Sequence, residues 1–171
     1  PNVNELAWYL KKGDPHLESP RNRVMVKDGH LQMVNNMAGL WLRKKSVILS
    51  YLKSHEGYPA SLTEADLKES YRDTPTTLPI DYRTRAETIN AVCSRDEIPA
   101  NTDDYFLLPA WGNYYLGTLY DIGTLGVYWS SSAYPHAYGA SSYKLFFNSI
   151  TGLLQVSENS RTVGFAVQAF E

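Results

Sequence analysis

One thiol, Cys93, is present among 171 residues, so no internal disulfide framework and no cysteine-based zinc site can be built, because both need several sulfurs at set spacings. Cys93 then reads as a small buried apolar residue. Long apolar runs are also missing: the longest cover a few residues, against the ~20 that a membrane-spanning helix needs. No membrane span is expected. Charge of one sign is lacking too, since 16 Lys+Arg face 18 Asp+Glu for a net charge of −2, which gives no electrostatic footprint for nucleic acid or an anionic lipid surface. The four histidines, His16, His30, His55 and His136, show no H-x-x-H or H-E-x-x-H spacing. A metal site is not expected. No G-x-S-x-G elbow, glycine-rich phosphate loop or EF-hand spacing occurs, so the sequence shows no catalytic apparatus, no cofactor motif and a non-enzymatic reading follows.

What is present is unevenly spread. Residues 1–100 hold 14 Lys+Arg and 13 Asp+Glu, whereas residues 101–171 hold 2 and 5, together with eight of the 13 tyrosines and seven of the 11 glycines. The composition predicts a helix-rich part over 1–100 and a strand-and-loop part over 101–171. No linker separates them, so a single α+β domain over 1–171 is expected.

Apolar residues at helical spacing predict a helix over Val3–Lys12, capped by Asn2 or Asn4 and stopped at Gly13 before Asp14-Pro15. The stretch from Leu40 to Lys53 also suits a helix, although Leu40-Trp41-Leu42 equally suits a strand. Ser61-x-x-Glu64 and Thr84-x-x-Glu87 match the capping box and predict helices over 62–71 and 85–93. Strands are expected at Tyr105–Leu108, Gly126–Ser130, Ser142–Asn148, Leu153–Ser157 and Val163–Phe170, with turn residues between them. Period two puts Tyr143, Leu145 and Phe147 on one face and Lys144, Phe146 and Asn148 on the other. Gly152 marks an antiparallel turn. The basic triplet Arg43-Lys44-Lys45 reads as a solvated face.

The segments Tyr105-Phe106-Leu107-Leu108-Pro109-Ala110-Trp111-Gly112, Gly126-Val127-Tyr128-Trp129-Ser130-Ser131-Ser132, Tyr143-Lys144-Leu145-Phe146-Phe147 and Gly164-Phe165-Ala166-Val167-Gln168 form a recognisable series. They resemble the Fibrobacter succinogenes-type major paralogous domain. That family, with the variable ligand-binding proteins of diversity-generating retroelements, is similar to C-type-lectin-like and formylglycine-generating-enzyme folds. The Asn4–Tyr9 and Leu40–Lys45 stretches also look like Bacteroidetes surface proteins that carry this module. The resemblance implies a C-type-lectin-like fold, a cell-surface or extracellular location and a role in adhesion. Within it, Trp129 and the three serines after it hold loops rather than touch ligand. Ala166 departs from the arginine that relatives often carry there, so a relative's ligand does not transfer.

The expected partner is an extracellular protein or glycan, met by a face rich in Tyr, Ser and Asn, where tyrosines give contact area at low entropy cost. Its candidate residues are Trp111, Asn113, Tyr114, Tyr134, His136, Tyr138, Phe146, Asn148, Glu158, Asn159 and Arg161. For Trp111, Tyr114 and Tyr115 burial in the core is an equal alternative. The formylglycine-generating enzymes need a cysteine pair that Cys93 cannot supply alone. Calcium lectins use Glu-Pro-Asn or Gln-Pro-Asp triplets with Trp-Asn-Asp, none of which occurs here. The rival class is a structural subunit of a pilus or surface assembly.

Overall fold

The computed structural model describes residues 1–27, 29–135, 140–165 and 170. The described residues form a mixed α+β fold with mostly antiparallel sheets. Helix α1 (Val3–Lys12) starts as expected, because the Asn2 side chain accepts from Glu5 N while Glu5 reaches back to Asn2 N, a reciprocal cap. Gly13 ends it. All residues from Val3 to Leu10 are buried, which a helix achieves only with neighbours on every side.

Those neighbours are two further helices, α2 (Lys45–His55) and α3 (Glu64–Glu69), and strands of two sheets. In the first sheet β1 (His16–Lys27) and β2 (His30–Arg43) form a long hairpin, flanked by β4 (Ser94–Arg95) on β1 and β5 (Tyr105–Pro109) on β2. The second sheet runs β3 (Ile89–Ala91), β10 (Leu153–Ser160), β9 (Ser141–Asn148) and β8 (Leu125–Ala133) in spatial order. A two-stranded ribbon, β6 (Asn113–Tyr115) with β7 (Thr118–Tyr120), completes it.

The division into helices first and sheet second does not hold, because the β1–β2 hairpin occupies residues 16–43. Leu40-Trp41-Leu42 ends β2: Leu40 and Leu42 are fully buried, and Trp41 points the other way to donate its indole N–H to Glu18 at 2.7 Å. The helix in that region is confined to α2. The third helix begins two residues later than expected, since the reciprocal cap is made by Thr63 and Asp66 rather than by Ser61 and Glu64. The helix expected over 85–93 is absent. Asp81 instead caps a short 3₁₀ turn at Tyr82–Thr84, Arg85 gives its carbonyl to the Tyr143 hydroxyl, and Ile89 joins the sheet opposite Val156. A buried hydroxyl and a sheet edge outbid a local capping signature.

The core lies between α1 and the two sheets. Tyr9 meets Phe106 edge-on at 5.4 Å, Phe147 stacks with Tyr128 at 6.5 Å, and Phe170 reaches the same cluster at 5.5 Å from Phe106. Gly126 is glycine because a Cβ there would sit 2.0 Å from the Phe147 ring. Polar ties fix α1 in place: Asn4 donates to the Lys68 and Glu69 carbonyls and to Asp81, and accepts from Tyr82 N at 2.8 Å. The serines after Trp129 act on the same helix. Val3 N donates to Ser132 Oγ at 3.0 Å, and Ser130 Oγ donates to Pro1 O while accepting from Ser132 N. The basic triplet is partly consumed as well, with Arg43 on Asp14 and Lys45 on Glu5, each at 2.8 Å. Burial would raise the Glu5 carboxyl, but Lys45 and the Asn2 N–H outweigh it and hold the group below the usual carboxylate range.

Candidate functional site

The second sheet has two unlike faces. Inward, Tyr128, Tyr143, Leu145, Phe147, Leu154 and Val156 are buried on the α1 side. Outward, the register sets Val127 beside Phe146 and Trp129 beside Lys144 on β8 and β9, with Gln155, Ser157 and Asn159 following on β10. The period-two division of Tyr143–Asn148 is as the sequence predicts.

A cleft of about 370 Å³ opens on that outward face. Val127, Lys144, Phe146 and Asn159 come from the sheet, while the β6–β7 ribbon supplies Asn113, Tyr115 and Tyr120, continued by Asp121. Val163 and Phe165 close the remaining side. The ribbon turns at Leu116-Gly117, both at positive φ (48° and 81°), the geometry of the two-residue turns that match strand twist. Gly164 docks it to the chain's end, bonding Tyr114 in both directions at 2.8 and 2.9 Å. Phe165 lies on Trp129 with ring centroids 4.4 Å apart. The cleft therefore has walls fixed by backbone pairing and ring packing.

Aromatic faces dominate its surface. Tyr115 and Tyr120 are nearly half exposed, and Phe146 and Phe165 are partly covered. Lys144 reaches across the two phenylalanines, its ammonium 5.6 Å from the Phe146 ring and 5.8 Å from that of Phe165. Burial pushes its pKa below the ordinary lysine value, partly offset by Glu158.

Of the expected binding residues, the cleft brings together Asn113, Phe146 and Asn159. Trp111 is packed against the core, and Tyr114 is exposed on the ribbon beside the cleft. Tyr134 packs on the buried Tyr143 at 5.0 Å, so it belongs to the sheet's inward side and not to this face. Asn148 is spent on the β9–β10 turn, accepting from Ile150 N and Thr151 N. Glu158 pairs in register with Tyr143, opposite in sense to Lys144, and Arg161 donates to Ser142 Oγ at 2.7 Å rather than lining the cleft. His136, Tyr138 and Ala166 lie outside the described residues, as does half of the expected strand over 163–170, whose described part makes only the isolated bridge of Gly164 to Tyr114. Sequence reasoning offered Tyr115 only as a flat face for a glycan or a core residue, and missed Tyr120, Asp121, Lys144, Val163 and Phe165. The outward period of β9 carried the signal for Lys144.

A second hollow of about 300 Å³ lies by α3, lined by Tyr58, Pro59, Leu62, Asp66 and Arg72 among others. Several of its polar groups already have partners: Tyr58 donates to the Arg72 carbonyl, Trp8 to that of Ser70, and Asp66 accepts from Thr63. Among the described residues no group of three or more His, Cys, Asp or Glu side chains is placed to hold a metal ion. Burial raises the Cys93 thiol pKa, which leaves it a poor nucleophile. No described helix is long and apolar enough to cross a membrane. Comparison with protein-family models, curated proteins and solved structures finds no match for this chain.

Proposed function

We propose that this chain is a non-enzymatic, C-type-lectin-like ligand-binding module of a bacterial cell-surface or secreted protein, related to the Fibrobacter succinogenes-type paralogous domain and acting in adhesion. Its ligand is a protein or glycan held in the cleft between the outward sheet face and the β6–β7 ribbon. The observation that carries this reading is the cleft itself: aromatic faces from Tyr115, Tyr120, Phe146 and Phe165 with the amides of Asn113 and Asn159 among them, on a backbone already paired. Anchors on rigid elements bind without an ordering cost, and polar groups around them set orientation. The test is to probe the protein on glycan and extracellular-protein arrays and repeat with Phe146→Ala. Retained array signals in the variant would remove the cleft from the account.

One observation favours a second reading, a structural subunit of a surface assembly. The distal half of the β1–β2 hairpin exposes Val24, Val26, Leu31 and Met33, which the register places on one face. Among the described residues of the hairpin the acid Glu18 is used internally, pairing with Arg21 and Arg23, so the apolar face suits a neighbouring copy better than a charged partner. Concentration-dependent sedimentation that Val26→Lys with Leu31→Lys abolishes would favour this reading over the first.

A further inference from the structure

The chemistry at the bottom of the cleft narrows the ligand class, on the premise that the cleft is the ligand site. Lys144 is half buried, and among the described residues its ammonium has no ion pair and no hydrogen bond; it lies over the faces of Phe146 and Phe165, with the Glu158 charge acting on it only from beyond ion-pair distance. Taking a cation partly out of water is unfavourable unless an anion or acceptors replace the lost hydration. Two phenylalanine faces replace part of it. An anion arriving at the cleft would meet a charge already partly out of water and set against two rings.

The number of charges selects the anion. Lys144 is the single cation among the described residues that line the cleft, and Asp121 is the one carboxylate among them. A phosphate monoester or a polyanion brings two or more negative charges and would face one ammonium and one carboxylate. One carboxylate fits better. Around it, flat aromatic faces suit the apolar side of a sugar ring, while Asn113, Asn159 and Asp121 bring amide and carboxylate groups that can bond hydroxyls. An extended peptide would instead look for an open strand edge. The edge of β8 is occupied at this point, because Gly112 N donates to Leu125 O at 2.7 Å.

The geometry points to an acidic sugar, one ring bearing a single carboxylate as in uronates and sialates, with the carboxylate on Lys144 and the ring against Phe146 and the ribbon tyrosines.

Two acid and neutral pairs test it: cellobiouronic acid against cellobiose, and sialyllactose against lactose, titrated into the full chain and followed by NMR shifts of the cleft residues. At least one acidic sugar should bind ten times or more tightly than its neutral partner. Lys144→Met should erase that ratio, and Lys144→Arg should keep most of it, which separates loss of charge from loss of fold. Equal binding of acid and neutral forms in the cleft overturns the acidic-sugar inference and leaves the ligand-site reading standing. Preference for the peptide Gly-Gly-Tyr as a free acid over all four sugars overturns it in favour of a peptide carboxylate. No shift with any probe also overturns it, and the array experiment then decides separately whether the cleft holds a ligand at all.

Discussion

Two ribbons in this molecule carry the same alternation of apolar and polar side chains and meet opposite fates. In β9, Tyr143, Leu145 and Phe147 are wholly buried in the core cluster that they share with α1, which packs on the neighbouring strands β3, β8 and β10. In the distal β1–β2 hairpin, Val24 with Met33 and Val26 with Leu31 form an equally regular apolar face that stays in solvent, with Leu31 75% exposed. Alternation chooses which side chains share a face. Whether that face is buried depends on a third element, which here comes from the far N-terminal end of the chain.

The largest test of this contrast is a pair of truncations. Phe147→Ala should cost about 3–5 kcal/mol, since it opens a cavity beneath Tyr128 and beside Gly126 where nothing can collapse. Met33→Ala on the hairpin should stay within about 0.5 kcal/mol. Urea unfolding of both variants measures the difference, and equal losses would mean the hairpin face is covered in solution.

The next effect concerns what holds α1 across the sheet. Asn4→Ala should cost about 2–3 kcal/mol, because it strands the buried Tyr82 N–H and takes a donor from the Asp81 carboxylate, while the Lys68 and Glu69 carbonyls keep Asn2 and Arg83. Ser132→Ala should cost less, about 1 kcal/mol, for one acceptor at the start of the helix. A reversed order in thermal unfolding would move the main anchor of α1 from the α3 side to β8.

The smallest effect is electrostatic. Hydrogen bonds from Arg83, and after them from Asn4, hold the Asp81 carboxyl down at about 2, though partial burial opposes them. Its folded pKa is lower than its unfolded value of about 3.9, so its contribution is present above about pH 4 and is lost as the pH falls toward 2. Asp81→Asn should therefore flatten the acid limb of the stability curve between those values and change its shape little at neutral pH. An unchanged acid limb would contradict it.

Much of this contrast was open to sequence reading and part was not. Asn2, the apolar spacing of Val3–Leu10 and Gly13 define α1 without help from the fold. The hairpin also had its signal, Asp28-Gly29 between Val24-Met25-Val26 and Leu31-Gln32-Met33, but the surrounding Arg and Lys residues obscure the alternation. The β6–β7 ribbon was hidden for a different reason. Leu116 takes a left-handed conformation that turn rules reserve for Asn, Asp or Gly, so Tyr115 and Tyr120 could not be paired in advance. Thr84-x-x-Glu87 misled because a capping box reports only local energy, whereas Arg85 and Ile89 are claimed by Tyr143 and β10. At the site, period two fixed Phe146 as outward and set Lys144 beside it. It could not show that Asn148 would be used by its own turn or that Phe165 would return to cover Trp129.

The most direct measurement sets the cleft against the hairpin on one array of glycans and extracellular proteins. Tyr120→Ala with Phe146→Ala should abolish the signals of the unaltered chain, while Val26→Lys with Leu31→Lys should leave them intact. Loss of signal in the hairpin variant with full retention in the cleft variant would contradict the account.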